Sequence, residues 1–134
     1  MEERTYGGKR GHEGTDLMPP TNQRGFYPVF SATAGTVEHM GWLQKGGWRI
    51  GIRSEQGGYF YYAHFSEYAP GMEEGKTVEA GEMLGYMGDS GYGEEGTVGQ
   101  FAVHLHFGIY IQTADGREVS VDPYWILKGL EGEP

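Results

Sequence analysis

At 134 residues, with no cysteine and a formal charge of −9, the chain is long enough to bury a core but has neither disulfides nor thiolate metal ligands. The negative balance argues against nucleic acid or an anionic membrane surface as the main partner, and any transition-metal site has to be built from His with Asp or Glu. The 25 glycines carry no collagen-like period and point to many tight turns between short strands.

Residues 1–27 are polar and glycine-punctuated, which predicts loop or a short edge strand. Pro28–Ala32 and Gly35–Met40 read as short strands around a turn at Gly35, and Trp48–Arg53 alternates as a strand. Gln56-Gly57-Gly58 predicts a hairpin into Tyr59–Phe65, followed by a turn over Ser66–Gly71. Glu74–Gly88 gives two very short strands, and the glycine-rich Asp89–Gln100 segment predicts an exposed loop. A strand over Val103–Ile111, a hairpin at Ala114–Gly116 and a strand near Arg117–Val121 follow. Asp122 then offers an N-cap and Pro123 a first helical position, predicting one short C-terminal helix. The expected fold is mainly β: one antiparallel, barrel-sandwich-like domain over residues 1–134, ending in that helix.

The Val103–Ile111 stretch holds the most informative pattern. Alternation turns Leu105, Phe107, Ile109 and Ile111 to a core and places His104, His106 and Tyr110 on the other face. Two imidazoles about 6–7 Å apart on one strand face can reach a common small object, one as a metal ligand and the other at a nearby water. His64 ends the Tyr59–His64 strand, on the face of Tyr62 and Phe60. Upstream, His12 and Asp16 form a His-x-x-x-Asp pair. A helical metalloprotease motif with Glu13 as base does not fit there, because Gly11, Gly14 and Thr15 make a poor helix and the second His is missing. His39, between Glu38 and Met40, has no partner motif and is read as structural.

In chain order, His-x-x-x-Asp, then Tyr62-Ala63-His64-Phe65-Ser66, then His104-Leu105-His106-Phe107, the chain resembles the lysostaphin/LytM-type zinc endopeptidases, which hydrolyse peptide bonds in bacterial peptidoglycan. Glu74–Gly85 is similar to that family's Gly-x-x-Val-x-x-Gly turn segment, Gly88-Asp89-Ser90-Gly91 to its Gly-x-Ser/Thr-Gly loop, and Val121–Tyr124 to its terminal Asn-Pro segment. The resemblance runs from about residue 4 to 128. It implies one Zn²⁺ per chain held by His12, Asp16 and His106, a three-ligand pattern that leaves a position open for water. It implies catalytic roles for His64 and His104 beside that water, without deciding which of the two accepts the proton and which stabilises the oxyanion or leaving amine. The implied partner is a peptidoglycan peptide, and the implied location is outside the cytoplasm.

No apolar run approaches the ~18–20 residues of a spanning helix, and no signal-peptide core opens the sequence. With a ligand candidate already at His12, the chain reads as a catalytic domain excised from a longer protein. Any anchoring to a membrane is then expected through a segment outside this sequence, and oligomeric state stays open. Three departures set this chain apart from the family pattern, one of them a lengthened Thr21–Tyr27 stretch. Gly99-Gln100-Phe101-Ala102-Val103 replaces the usual Ser-Thr-Gly-Pro before His-x-His, and the Asp89–Gln100 loop is long and acidic, so cleavage specificity is not transferred. Two rivals stand beside the enzyme reading. One is a catalytically silent scaffold or activator of cell-wall machinery, which retention of all five site residues argues against. The other is a lipoyl-like carrier, which lacks its hairpin-tip lysine motif at Lys9, Lys45, Lys76 and Lys128.

Overall fold

The computed structural model describes residues 14–121, so His12 and the helix expected from Asp122 onward lie outside the described residues. Nine strands follow in order: β1 (Thr15–Leu17), β2 (Pro28–Phe30), β3 (Gly35–Leu43), β4 (Gly47–Ser54), β5 (Tyr59–Tyr68), β6 (Thr77–Val78), β7 (Met83–Met87), β8 (Leu105–Gln112) and β9 (Glu118–Val121). Every pairing is antiparallel, and no helix occurs among the described residues. The main path runs β1-β8-β5-β4-β3-β6; β7 pairs with β5 and β2, and β9 pairs with β8.

Alternation builds the two faces. Ile50 and Ile52 of β4, Tyr62 of β5 and Phe107 of β8 point into a core that also takes Val37, Phe65, Val78 and Leu84. Each such fully buried side chain contributes about 1.5–3 kcal/mol. The Tyr62 hydroxyl, deep in this core, accepts the Ala32 N–H at 2.9 Å, which satisfies its one polar atom. The opposite face carries Asp16, His106, Tyr61 and Tyr59, because directly paired residues share a face: Asp16 with His106, His106 with Ala63, Tyr61 with Gly108, and Tyr59 with Tyr110.

Ile111, expected in the core with Ile109, is 43% exposed near the end of β8. Three further expectations are corrected by pairing that a local reading cannot anticipate. β5 runs on through Tyr68 where a turn was expected from Ser66, because Glu67 and Tyr68 pair with Tyr86 and Gly85 of β7. The Asp89–Gln100 segment begins buried rather than exposed: Asp89 is 5% and Ser90 0% exposed. His64 does not share the core face of Tyr62 and Phe60. Its backbone takes the left-handed conformation (φ 74°) at a bulge, where Trp48 and Ile50 of β4 oppose Phe65 and Tyr62 of β5. The extra residue reverses the alternation and brings His64 beside His104 and His106.

Candidate active site

Four side chains named from the sequence meet on the open face. β1 lies against β8 with Asp16 opposite His106, so that His106 Nδ1 donates to Asp16 Oδ1 at 2.8 Å. His104 precedes β8 in an isolated bridge to Gly88, and its Nε2 stands 3.7 Å from the same carboxylate oxygen. The His64 ring centre is 4.8 Å from that of His104 and 6.2 Å from that of His106. His39 stands apart: its Nδ1 is 2.9 Å from the Tyr59 hydroxyl.

The backbone fixes the tautomers of two of these rings. A carbonyl only accepts, so His64 Nδ1 donates to Ser90 O at 2.7 Å and His104 Nδ1 donates to Ala102 O at 2.9 Å. Each neutral ring is left with an unprotonated Nε2, the state a proton acceptor needs. Burial pushes the His64 pKa down to about 4, outweighing the Ser90 hydrogen bond, so its ring is neutral at neutral pH. The hydrogen bond from His106 holds the Asp16 carboxyl below its ordinary range, helped by the neighbouring histidines and opposed by partial burial.

Several supports carry no signal in residue type alone. Ser90 accepts the Trp48 N–H on its Oγ at 3.1 Å and donates to Phe65 O at 2.7 Å, tying β4 to β5 where its own carbonyl holds His64. Next to it, buried Asp89 receives Arg24 Nε at 2.7 Å and Nη2 at 3.1 Å in a two-pronged ion pair. Phe101 lies 4.6 Å from the His64 ring and 5.1 Å from His104, Tyr92 stacks at 6.3 Å on His64, and Tyr61 meets the edge of His106 at 6.3 Å. Sequence reasoning quoted Ser90 and Phe101 within motifs but gave neither a role. Gly14 sits over His106 with φ +127°, where a Cβ would come within 2.7 Å of Phe107 O and 2.9 Å of His106 Nε2. Only glycine fits there.

Asp16 Oδ1 and His106 Nδ1 are one oxygen and one nitrogen donor facing each other, and loss of the intervening proton would leave two converging lone pairs. Among the described residues no group of three or more His, Cys, Asp or Glu side chains is placed to hold a metal ion. A third donor for this pair has to come from elsewhere, and His12, the residue expected to supply it, is outside the described residues.

The chain is similar in sequence and in fold to known proteins. The sequence model described as peptidase family M23 matches residues 10–123. The L-Ala–D-Glu endopeptidase of Bacillus subtilis is 46% identical over 129 residues, covering 96% of this chain and 38% of the relative. A crystal structure from Ruminococcus gnavus, provisionally assigned as the glycyl-glycine endopeptidase lytM, superposes with a TM-score of 0.85 at 60% identity, over 95% of this chain and 50% of that one. The catalytic domain of the antimicrobial peptidase lysostaphin from Staphylococcus simulans superposes at 0.65 with 30% identity, over 87% and 79% of the two chains. The chain thus spans well under half the length of its Bacillus relative.

Proposed function

The chain belongs to peptidase family M23, and from that premise we propose that it is a zinc-dependent endopeptidase hydrolysing peptide bonds in the stem peptides or cross-bridges of bacterial peptidoglycan. The observation that carries the reading is the meeting of Asp16, His106, His104 and His64 on one sheet face, with two imidazole Nε2 atoms freed by backbone carbonyls.

One zinc per chain would be held by His12, Asp16 and His106. Nitrogen and oxygen donors of this type suit that ion, and the lone-pair pairing of Asp16 with His106 fits two of its positions. When bound, the metal supplies Lewis acidity at the scissile carbonyl and a more acidic attacking water. The chain's own residues do the rest. One of His64 and His104 accepts a proton from the attacking water on its Nε2. The other would first have to take up a proton on its own Nε2, and could then steady the developing oxyanion or donate to the departing amine as the C–N bond breaks. Phe101 and Tyr92 exclude bulk water from the His64 side, which strengthens these charge interactions.

The Bacillus relative is named for an L-Ala–D-Glu bond and the Staphylococcus one as an antimicrobial peptidase, which supports a peptide substrate; a bacterial wall as its source and action outside the cytoplasm are part of the proposal. Metal analysis of the purified protein followed by digestion of purified peptidoglycan tests the whole reading. New amino and carboxyl termini within the peptide part are expected. Release of reducing sugar ends, or no product from any wall type while zinc is bound, would replace it with the scaffold reading.

A further inference from the structure

Arg49 lies on β4 between Ile50 and the Trp48 side of the bulge, opposite the Ala63-His64 step of β5. Ile50 and Ile52 point into the core, so alternation turns Arg49 to the open face with Gly51 and Arg53. Ala63 is paired in turn with His106. Arg49 therefore sits two strand spacings, about 10 Å, from the His106 backbone on the same face.

Its chemical setting is unusual for this chain. Arg24, Arg53 and Arg117 each hold a carboxylate oxygen at 2.7–3.0 Å. Arg49 Nη1 is buried with no hydrogen-bond partner, and among the described residues its guanidinium has no ion pair, although the sequence carries 19 acidic residues. An unpartnered Nη1 shut off from solvent opposes folding, while Arg49 as a whole is only part-buried and keeps solvent access for an incoming anion. The groups around it are tyrosines: its charge opposes the burial that raises the Tyr59, Tyr61 and Tyr68 hydroxyl pKa values. Tyrosine leaves the guanidinium's charge uncompensated.

We propose that Arg49 is a specificity-determining anchor that binds a free carboxylate of the peptide substrate within about three residues of the scissile bond. The spacing follows from about 3.3 Å per residue of an extended peptide laid across the strands. The assignment rests on the endopeptidase reading for the identity of its ligand as a peptide.

The test uses zinc-loaded protein and a pair of peptides containing the L-Ala–D-Glu linkage, one with the D-Glu α-carboxylate free and one with it as a primary amide. In both, the scissile amide is replaced by a ketomethylene link, so that calorimetry reads binding without turnover. The unaltered protein is expected to prefer the carboxylate about 10- to 100-fold, the range of a charge-assisted contact. Arg49→Met should bring that ratio close to one by weakening the carboxylate peptide alone, with no fall in melting temperature. Arg49→Lys, which keeps the charge and loses the planar fork, should retain a reduced preference and decides the matter if the Met variant misfolds. A ratio near one in the unaltered protein, or an unchanged ratio in either variant, overturns the proposal. Cleavage of the corresponding ordinary peptides reports separately: a carboxylate preference without cleavage sinks the hydrolase reading and upholds the anchor.

Discussion

His64 gives its Nδ1 proton to the main-chain oxygen of Ser90, and the hydroxyl of the same serine bonds both Trp48 N and Phe65 O. One fully buried small residue thus joins the β4–β5 bulge to the Nδ1 of a histidine and leaves that ring's Nε2 as the reactive nitrogen. Ser90→Ala leaves a buried N–H and a carbonyl without partners, an expected loss of about 1–3 kcal/mol in denaturant unfolding. Hydrolysis should fall with it, because the bulge that aims His64 loosens. Unchanged stability would show that water replaces the hydroxyl.

His104 and His106 are next neighbours but one, and the proposed mechanism separates them. His104→Ala should keep most of its zinc and lose about 10²–10⁴-fold in activity, the size of an acid–base contribution. His106→Ala should lose the metal itself. Metal content measured on the two purified variants checks this; zinc lost from the first and kept in the second would reverse the assignments.

Gly14→Ala places a methyl group against Phe107 O and the His106 ring in a backbone conformation hostile to side chains. The strain should cost about 1–3 kcal/mol and displace the Asp16–His106 contact two residues on. A zinc affinity titration should show weakened binding alongside a lower melting temperature. Melting lowered with zinc affinity intact would mean that β1 absorbs the shift without moving Asp16.

Alkaline stability reports on Tyr62. Burial raises its hydroxyl from the ordinary value of 10.0 to about 12. Below pH 10 the phenol is protonated in both folded and unfolded chains, and its contribution is fully present. Between about pH 10 and pH 12 the unfolded chain ionises while the folded chain holds its proton, so stability falls as pH rises, by about 3 kcal/mol in all. Denaturant midpoints across that range should show the slope, and Tyr62→Phe should lessen it by this share while Tyr61, also raised to about 12 by burial, keeps part of the rest. An equal slope in the variant would assign the effect to other groups.

The period-two patterns of β4, β5 and β8 made most of the sheet legible, since Ile50, Ile52, Phe107 and Ile109 are buried where alternation puts them. The meeting of Asp16 with His104 and His106 was legible through motif order, which a fold preserves across long separations. His64 was not legible in orientation: a bulge is decided by how β4 and β5 register, and no residue near His64 announces a positive φ. The burial of Asp89 was hidden for a similar reason. Its partner Arg24 is 65 positions away, in a stretch that reads as plain polar loop. Arg49 looked like any strand cation until its surroundings were known.

Asp16 and His106 touch across a separation of 90 residues, and Arg24 and Asp89 across 65. Contacts so distant in sequence cannot form until the chain between them has been made and its loop closed, and sheets dominated by such pairings fold on a timescale of about milliseconds to seconds. A nascent chain therefore carries the Asp16 carboxylate before His104 and His106 are there to meet it. The proposed hydrolytic activity would then have to wait for β1 to pair with β8, and would be absent while the chain is still being made.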